Sequence, residues 1–293
     1  MVKTTEAEHL QKTKKPLPNS ASPDVGFGFN FKKMPKIKAN GIEINYQFID
    51  NGKPETLVFS NSLGTNFSMW NKQIEAVSKH FNILLSDTRG HGETEVTEDE
   101  YSAELLGKDV LELTKNLGIE TFHFCGLSMG GLIGQWLGLN GENRVQNIVL
   151  CNTAAKIGSE DSWNDRIDLV NKEGLEPVAA GTPSKWFTDD FIENEKNEVE
   201  GIIENFKKNS PEGYAANCAM VRDADFREEL KNIKNPVLII AGEQDPVTTV
   251  EDGKWMQNEI PNSELKTIDA RHLSAFEKPT EFNEILIQFL NKK

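Results

Sequence analysis

Short apolar runs alternate with helix-patterned stretches along most of this chain. Each run has the length of a buried strand, and the runs occupy 56–60, 81–86, 122–125, 147–153 and 236–242. The segment 264–268 also has a strand pattern, with apolar residues at 265 and 268. Between several of them, leucines and valines recur at helical spacing, most clearly over 102–117, where Gly118 is a C-cap. Strands and helices in this alternation predict a mainly parallel α/β sheet that is covered by helices on both faces.

The alternation is broken at two places. Alternating apolar residues from Ile37 to Phe48 surround Asn40-Gly41, a dipeptide that favours the tight turn of a β-hairpin. Between 154 and 232 the strand pattern stops, and the sequence becomes helical, polar and aromatic. A helical insert between two strands of a sheet is typical of a cap over an active site.

These patterns divide the chain into an arm, a core and a cap. The arm is rich in lysine and proline but has few acidic residues, and it contains an aromatic segment at 25–31. We predict that the arm is partly disordered and that its aromatic segment docks on the core. The predicted division is 1–35 for the N-terminal arm, 36–153 with 233–293 for the core, and 154–232 for the helical cap.

The acidic composition limits the partners of the protein. Aspartate and glutamate total 46 against 32 lysines and arginines, so the 293-residue chain has a formal net charge of -14. Such a surface repels nucleic acid and anionic membranes, and we expect neither as a partner. If the substrate is an anion, a local cationic side chain must overcome this unfavourable overall field.

The cysteines and the hydropathy pattern predict a soluble, cytoplasmic protein. Cys125, Cys151 and Cys218 have no CxxC spacing, which argues against a disulfide framework and against a zinc site. The sequence contains no apolar run of about 18 residues, the length that a membrane span needs. The first residues also lack the apolar segment of a secretory signal, so we expect an intracellular location.

The candidate chemistry lies in Gly126-Leu127-Ser128-Met129-Gly130. The pattern G-x-S-x-G marks a nucleophile elbow, in which a serine sits on a strained turn between a strand and a helix. The two glycines leave room for the sharp bend. A five-residue pattern also arises by chance, but the apolar strand before it and the small-residue helix after it supply the context that the motif requires.

A serine nucleophile needs a base, and the base needs an orienting acid. His272 follows the last predicted strand, where a loop can bring it to the strand ends. The other four histidines lie in the arm, at a helix end, in a turn and inside a strand: His9, His80, His91 and His123. Asp245 follows the penultimate strand and gives the order Ser…Asp…His of α/β serine hydrolases, with Glu243 as its competitor.

These residues predict acyl transfer. His272 takes the proton of Ser128 as the serine attacks an acyl carbonyl, and Asp245 stabilises the imidazolium. The tetrahedral oxyanion needs two backbone N–H donors, for which we predict Met129 and, in the turn after an earlier strand, Leu63. This chemistry needs no cofactor and no metal, and we expect neither.

Several further segments identify a family. They are SNSLGT at 60–65, DTRGHG at 87–92, HFCGLSMGGLIGQWLG at 123–138, NTAAKIG at 152–158, GYAA at 213–216, RDAD at 222–225 and ARHLS at 270–274. Together they resemble the α/β-hydrolase fold family and, within it, the 3-oxoadipate enol-lactonases. The resemblance implies an eight-stranded, mainly parallel sheet with a late helical cap. It also implies hydrolysis of an enol-lactone ring to 3-oxoadipate, in the β-ketoadipate pathway of aromatic catabolism.

The substrate implied by this resemblance carries a carboxylate, which needs a cationic partner. Arg222 in the cap is the first candidate, and Arg166 and Lys185 follow it. For each of them a surface ion pair is the alternative interpretation. Trp136, which follows the serine in the next helix, is a candidate for lining the pocket, although packing is the simpler interpretation.

Other functions stay open on the sequence. A related hydrolase of the same fold, such as a carboxylesterase, a C–C bond hydrolase or a cofactor-free perhydrolase, shares the three site residues. The Asn-Ser-Leu-Gly turn at 61–64 argues against these groups, which commonly have a His-Gly form there. A non-enzymatic ligand receptor is the alternative from another class. Departures from the family pattern at Glu93-Thr94 and at 274–277 leave the preferred lactone open.

Overall fold

The computed structural model of the protein describes residues 34–292. The arm predicted at 1–35 therefore lies outside the described residues, except for its last two positions. The strands are β1 Lys36–Ala39, β2 Ile42–Ile49, β3 Thr56–Ser60, β4 Asn82–Ser86, β5 Phe122–Leu127, β6 Val145–Cys151, β7 Val237–Gly242 and β8 Ser263–Ile268. They form one eight-stranded sheet in the order β1-β2-β4-β3-β5-β6-β7-β8.

Twelve α-helices of the described chain flank this sheet or form the cap. Their bounds are α1 Asn71–Val77, α2 Ala103–Asn116, α3 Met129–Asn140, α4 Glu160–Glu173, α5 Glu176–Ala180, α6 Pro183–Trp186, α7 Asp189–Asn194, α8 Lys196–Lys207, α9 Pro211–Asp223, α10 Val250–Glu259, α11 Ser274–Glu277 and α12 Pro279–Leu290. Short 3-10 turns lie at Phe67–Trp70, Glu142–Arg144 and Leu230–Asn232. The helices α4 to α9, here called the cap, lie between β6 and β7. Every helix within residues 34–292 is too short or too polar to cross a lipid bilayer.

The fold class predicted from the alternation is confirmed. The strands from β3 to β8 pair in parallel, whereas β1 and β2 are antiparallel to their neighbours. The tight turn of the β1–β2 hairpin is formed by Asn40 and Gly41. Their φ angles of 46° and 84° are both positive, as this kind of turn requires. The carboxyl ends of the parallel strands share one edge of the sheet, and that edge is where an open α/β sheet places its site.

One helix is shorter than its pattern predicts. Helical spacing extends over 70–80, but this region begins as the 3-10 turn Phe67–Trp70 and continues as α1 only to Val77. The helix ends there because the next strand begins at Asn82, and the chain must first bury Phe81, which is 1% exposed. Burial of a large aromatic side chain outweighs the small gain from one further helical turn.

A buried ion pair joins the first hairpin to the rest of the core. The guanidinium of Arg89, in the loop after β4, donates to both carboxylate oxygens of Asp109 in α2 at 2.8 Å and 2.7 Å. Asn40 in the hairpin turn donates to the same carboxylate at 2.7 Å and accepts from Arg89 at 3.2 Å. Three separate segments therefore depend on one bidentate pair, which is 5% and 8% exposed.

Replacing Arg89 with leucine should destabilise the fold strongly. The substitution leaves the Asp109 carboxylate buried without its cation, which typically costs about 3–5 kcal/mol of unfolding free energy. Urea denaturation measures the loss. Arg227→Leu is the matched control because its exposed pair with Asp225 should contribute less than about 1 kcal/mol. Equal losses in the two variants would show that the buried pair has no special role.

Candidate active site

Ser128 lies in a strained turn between β5 and α3. Its φ of 57° and ψ of -112° place a non-glycine residue in a region of backbone space that is rarely populated. Two bonds to the neighbouring strand hold this conformation. The N–H of Ser128 donates to the carbonyl of Cys151 at 2.9 Å, and its carbonyl accepts from the hydroxyl of Thr153 at 2.9 Å. The side chain is consequently fixed at the carboxyl edge of the sheet.

The glycines on either side of the turn are required by close backbone approach. A Cβ on Gly126 would lie 2.1 Å from the carbonyl oxygen of Gly130. A Cβ on Gly130 would lie 2.4 Å from the carbonyl oxygen of Ser60 in β3. Neither backbone oxygen can move without disrupting the sheet or the first turn of α3, so the G-x-S-x-G spacing is a steric requirement here.

Asp245 and His272 form a buried hydrogen-bonded pair at the same edge. Nδ1 of His272 lies 2.8 Å from Oδ2 of Asp245, and both side chains are at most 3% exposed. Three further residues donate to the Asp245 carboxylate. They are Val247 through its N–H at 2.8 Å, Thr248 through its N–H at 3.1 Å and its hydroxyl at 2.8 Å, and Asn152 through its amide at 3.0 Å.

These donors keep Asp245 ionised. Burial alone would raise the pKa of the carboxyl, but the charge and hydrogen bond of His272, with the donors around it, bring that pKa below its usual range. An ionised carboxylate on Nδ1 favours the tautomer that carries its proton there. Nε2 of His272 is then a lone-pair acceptor, which is the state that a general base requires.

Asn152 ties the strand beside the elbow to the loop that carries His272, here called the base loop, residues 269–273. Its amide nitrogen donates to Asp245 and, at 3.2 Å, to the carbonyl of Arg271. Its amide oxygen accepts from the hydroxyl of Ser274 at 2.5 Å. Asn152 has a φ of 42°, a conformation that asparagine tolerates better than most residues.

The sequence analysis did not identify Asn152 or Thr248 as site residues. A signal was present for Asn152, because polar residues that directly follow a buried strand face the carboxyl edge of a sheet. No comparable signal exists for Thr248. Its hydroxyl reaches Asp245 only because the loop after β7 folds back on itself.

The elbow and the Asp-His pair share an edge but are not joined by a direct bond. Ser128, Asp245 and His272 follow β5, β7 and β8, which lie close together in the sheet order. Among residues 34–292, no hydrogen bond of 3.5 Å or less joins the Ser128 hydroxyl to His272. Catalytic hydrogen bonds often tighten only when substrate binds.

Two backbone N–H groups at this edge lack an acceptor within the described chain. In the turn after β3, the N–H groups of Ser62, Gly64 and Thr65 all donate to other atoms. The N–H of Leu63 does not, and neither does the N–H of Met129 in the first turn of α3. An oxyanion site needs two such free N–H donors near the nucleophile.

His91 supports the turn that contains Leu63. Its Nε2 accepts from the N–H of Gly64 at 2.8 Å, which requires the imidazole to be neutral. Complete burial lowers the pKa of His91 to about 4, so it carries no charge at neutral pH. The turn itself is crowded, because a Cβ on Gly64 would lie 2.2 Å from the ring of Phe206 in the cap. This structural position agrees with the prediction that His91 is not the base.

The four candidate substrate residues differ in their surroundings. Trp136 packs against α2, where a Cβ on Gly107 would lie 2.0 Å from its indole. Arg222 is bonded to acidic neighbours in α9 and beyond. Arg166 and Lys185 lie on α4 and α6 of the cap. In the part of the chain that the structure describes, no group of three or more histidine, cysteine, aspartate or glutamate side chains is arranged to hold a metal ion.

Comparisons with known proteins show the family to which the chain belongs. Residues 55–279 match the family described as having the alpha/beta hydrolase fold. The chain is 42% identical to 3-oxoadipate enol-lactonase 2 of Acinetobacter baylyi over 87% of this chain and 95% of that protein. It is 43% identical to 3-oxoadipate enol-lactonase 1 of the same organism over 80% and 88%. The crystal structure of the enol-lactonase from Burkholderia xenovorans LB400 superposes with a TM-score of 0.86 at 39% identity, covering 88% of this chain and all of that one.

The stability of the protein should fall as the pH drops below 6.5, and His91 should account for part of the fall. Its pKa is about 4 when folded and 6.5 as an ordinary histidine, so within this window only the unfolded chain binds the proton. His123, whose pKa burial also lowers, acts in the same direction. Each such histidine lowers the unfolding free energy by about 1.4 kcal/mol for each pH unit of acidification within its window.

Urea denaturation between pH 6.5 and 5 measures this dependence. The His91→Gln variant keeps an acceptor for the Gly64 N–H but binds no proton at this position. The slope of its unfolding free energy against pH should therefore be smaller than that of the wild type by the contribution of one histidine. His80→Gln, at an exposed position, is the control. Parallel pH curves for the wild type and His91→Gln would contradict the assignment.

Proposed function

This chain belongs to the α/β-hydrolase fold family, and from that premise we propose that it opens the ring of 3-oxoadipate enol-lactone to give 3-oxoadipate. The observation that carries the proposal is the Asp245–His272 hydrogen bond at the same sheet edge as the strained Ser128. The identity to two 3-oxoadipate enol-lactonases over most of both chains supports the choice of substrate. The reaction then belongs to the β-ketoadipate pathway of aromatic catabolism.

The first half-reaction forms an acyl-enzyme. The hydroxyl oxygen of Ser128 attacks the ring carbonyl, and Nε2 of His272 takes its proton. Asp245 stabilises the imidazolium that results. The negative charge moves to the carbonyl oxygen, where the N–H groups of Leu63 and Met129 bind it. A donor of this kind typically contributes about 2.7–4 kcal/mol to lowering the barrier.

Collapse of the tetrahedral intermediate breaks the ring C–O bond. The departing enol oxygen receives the proton from His272, and it stays in the site because a lactone's leaving group belongs to the same molecule as its acyl group. Water then attacks the acyl-enzyme with His272 as base, and Ser128 is regenerated with its proton. The released enol becomes the ketone of 3-oxoadipate, which removes the oxygen nucleophile that would otherwise close the ring again.

Replacing Ser128 with alanine should abolish turnover with little effect on the fold. Loss of the nucleophile in a Ser-His-Asp site typically lowers kcat by about 10⁴- to 10⁶-fold. A steady-state assay on the enol-lactone, generated in situ, measures the effect. Ser78→Ala, at the end of α1, is the matched control and should leave kcat unchanged.

Three outcomes separate the parts of this proposal. Unchanged turnover in Ser128→Ala would contradict the mechanism. Activity on simple aryl esters without activity on the enol-lactone would agree with a serine esterase but would contradict the proposed substrate. Product formation that stops after one turnover per chain would instead favour a ligand receptor of this fold.

A further inference from the structure

We infer that Arg166 and Lys185 of the cap, neither of which has an acidic partner within residues 34–292, form the subsite for the substrate's free carboxylate. The inference deepens the proposed function and rests on it. The ligand class is an acyl compound that carries a second, ionised carboxylate. The carboxylate takes charge-assisted hydrogen bonds from both side chains.

The backbone around Lys185 is bonded directly to the base loop. The carbonyl of Trp186 accepts from the N–H of Leu273 at 3.0 Å. The carbonyl of the residue before Lys185 accepts from the guanidinium of Arg271 at 2.8 Å. The two residues of the base loop that make these bonds are the immediate neighbours of His272. Lys185 is therefore held at the cap's contact with the base.

Arg166 reaches the same region from α4. Its guanidinium lies over the ring of Trp163 at 4.7 Å. Helix α4 packs against α9, which carries Tyr214, and the Arg166 charge opposes the rise that burial causes in the pKa of the Tyr214 hydroxyl. The ring of Tyr214 in turn packs on the oxyanion turn, because a Cβ on Gly64 would lie 3.3 Å from it. One side chain thus separates Arg166 from the oxyanion turn.

The two cations are close enough to repel each other. Burial lowers the pKa of Lys185, and the positive charge of Arg166 lowers it further. Within residues 34–292, no carboxylate lies within 4.0 Å of either side chain. The chain as a whole has a net charge of -14, so an anionic substrate needs a local site of positive charge. A bound anion removes the repulsion, and the pair supplies the local positive field that an anionic substrate needs.

Arg222, the first candidate on sequence grounds, is already neutralised. Its guanidinium donates to both carboxylate oxygens of Asp223 at 2.7 Å and 2.9 Å, and to Glu100 at 3.4 Å. It also donates to the amide oxygen of Asn164 at 3.0 Å. These partners raise the pKa of Arg222, the Asp223 bond most strongly. A substrate carboxylate would have to displace two protein carboxylates, so Arg222 is a poor anion site.

The test compares two aryl esters of equal chain length. Mono-4-nitrophenyl adipate carries a distal carboxylate, whereas 4-nitrophenyl hexanoate is uncharged, and both report on the same acyl transfer. In Arg166→Gln and in Lys185→Gln, kcat/KM for the adipate ester should fall about 10- to 100-fold, mainly through KM. For the hexanoate ester it should change less than about threefold. The double variant should have a lower kcat/KM for the adipate ester than either single variant. Arg166→Lys should have a higher kcat/KM for this ester than Arg166→Gln.

Two further variants complete the design. Arg227→Gln, at an exposed cap-proximal arginine, is the control for general loss of charge and should leave the adipate-to-hexanoate ratio unchanged. Arg222→Gln tests the rival site. The inference is overturned if Arg166→Gln and Lys185→Gln leave the adipate-to-hexanoate ratio of kcat/KM unchanged, which includes an equal fall in kcat/KM for both esters. It is also overturned if Arg222→Gln lowers this ratio as much as they do.

The hexanoate rate also reports on folding, because a misfolded variant loses both activities together. Circular dichroism and thermal unfolding separate that case from a true loss of selectivity, and Lys185→Arg then provides a variant that retains the charge. The failure of the proposed function looks different. A wild-type protein that prefers the adipate ester but does not open the enol-lactone would reject the lactone and keep the carboxylate subsite.

Discussion

The backbone strain at Ser128 is the constraint on which the rest of the site depends. A residue held in this conformation typically costs about 1–3 kcal/mol, and it persists only when its surroundings determine it fully. Here the N–H and the carbonyl of Ser128 are both bonded to the adjacent strand, at Cys151 and Thr153. Backbone contacts at Gly126 and Gly130 close the turn from the other side. The position of the nucleophile is therefore determined by the sheet. The N–H of Met129 belongs to the same turn, so in the proposed mechanism this one rigid turn supplies both the nucleophile and an oxyanion donor.

The cap and the base loop behave as one structural unit. Arg271 donates to cap carbonyls at 2.8 Å and 2.9 Å, the second that of Phe187. The buried carboxylate of Glu277 accepts from the N–H of Thr188 at 3.3 Å and from the N–H of Arg271 at 3.2 Å. The bonds to Arg271 and Glu277 lie on either side of His272 in the sequence and hold the segment that carries it. A change in the cap that moves this segment therefore alters the base as well as the pocket, which couples substrate selection to chemistry.

Electrostatics divide the site into two parts. The Asp245 carboxylate is ionised inside the protein because His272 and several hydrogen-bond donors outweigh its burial. His91 is neutral inside the protein because no charge compensates its burial. Arg166 and Lys185 carry positive charge in the cap, where our proposal places the substrate's free carboxylate. An acidic protein can bind an anion when the attraction is local, since distant surface charges are screened over about 10 Å at moderate salt.

Local sequence determined the fold and the outline of the site, whereas non-local contacts decided the residues around it. The strands, the Asn40-Gly41 hairpin and the helix predicted over 102–117 follow from patterns within a few residues, because strand and helix periodicity is a local property. The elbow motif is equally local, since the G-x-S-x-G pattern spans five residues, although its sterics also involve the two adjacent strands β3 and β6. The roles of the remaining residues depended on distant partners. On sequence alone, Arg222 and Arg166 were both candidates for binding the substrate. The tertiary structure pairs Arg222 with Asp223 and Glu100, whereas Arg166 has no acidic partner in the described chain. The availability of a charge or of an N–H group is set by what folds against it, and that information is not carried by any single segment.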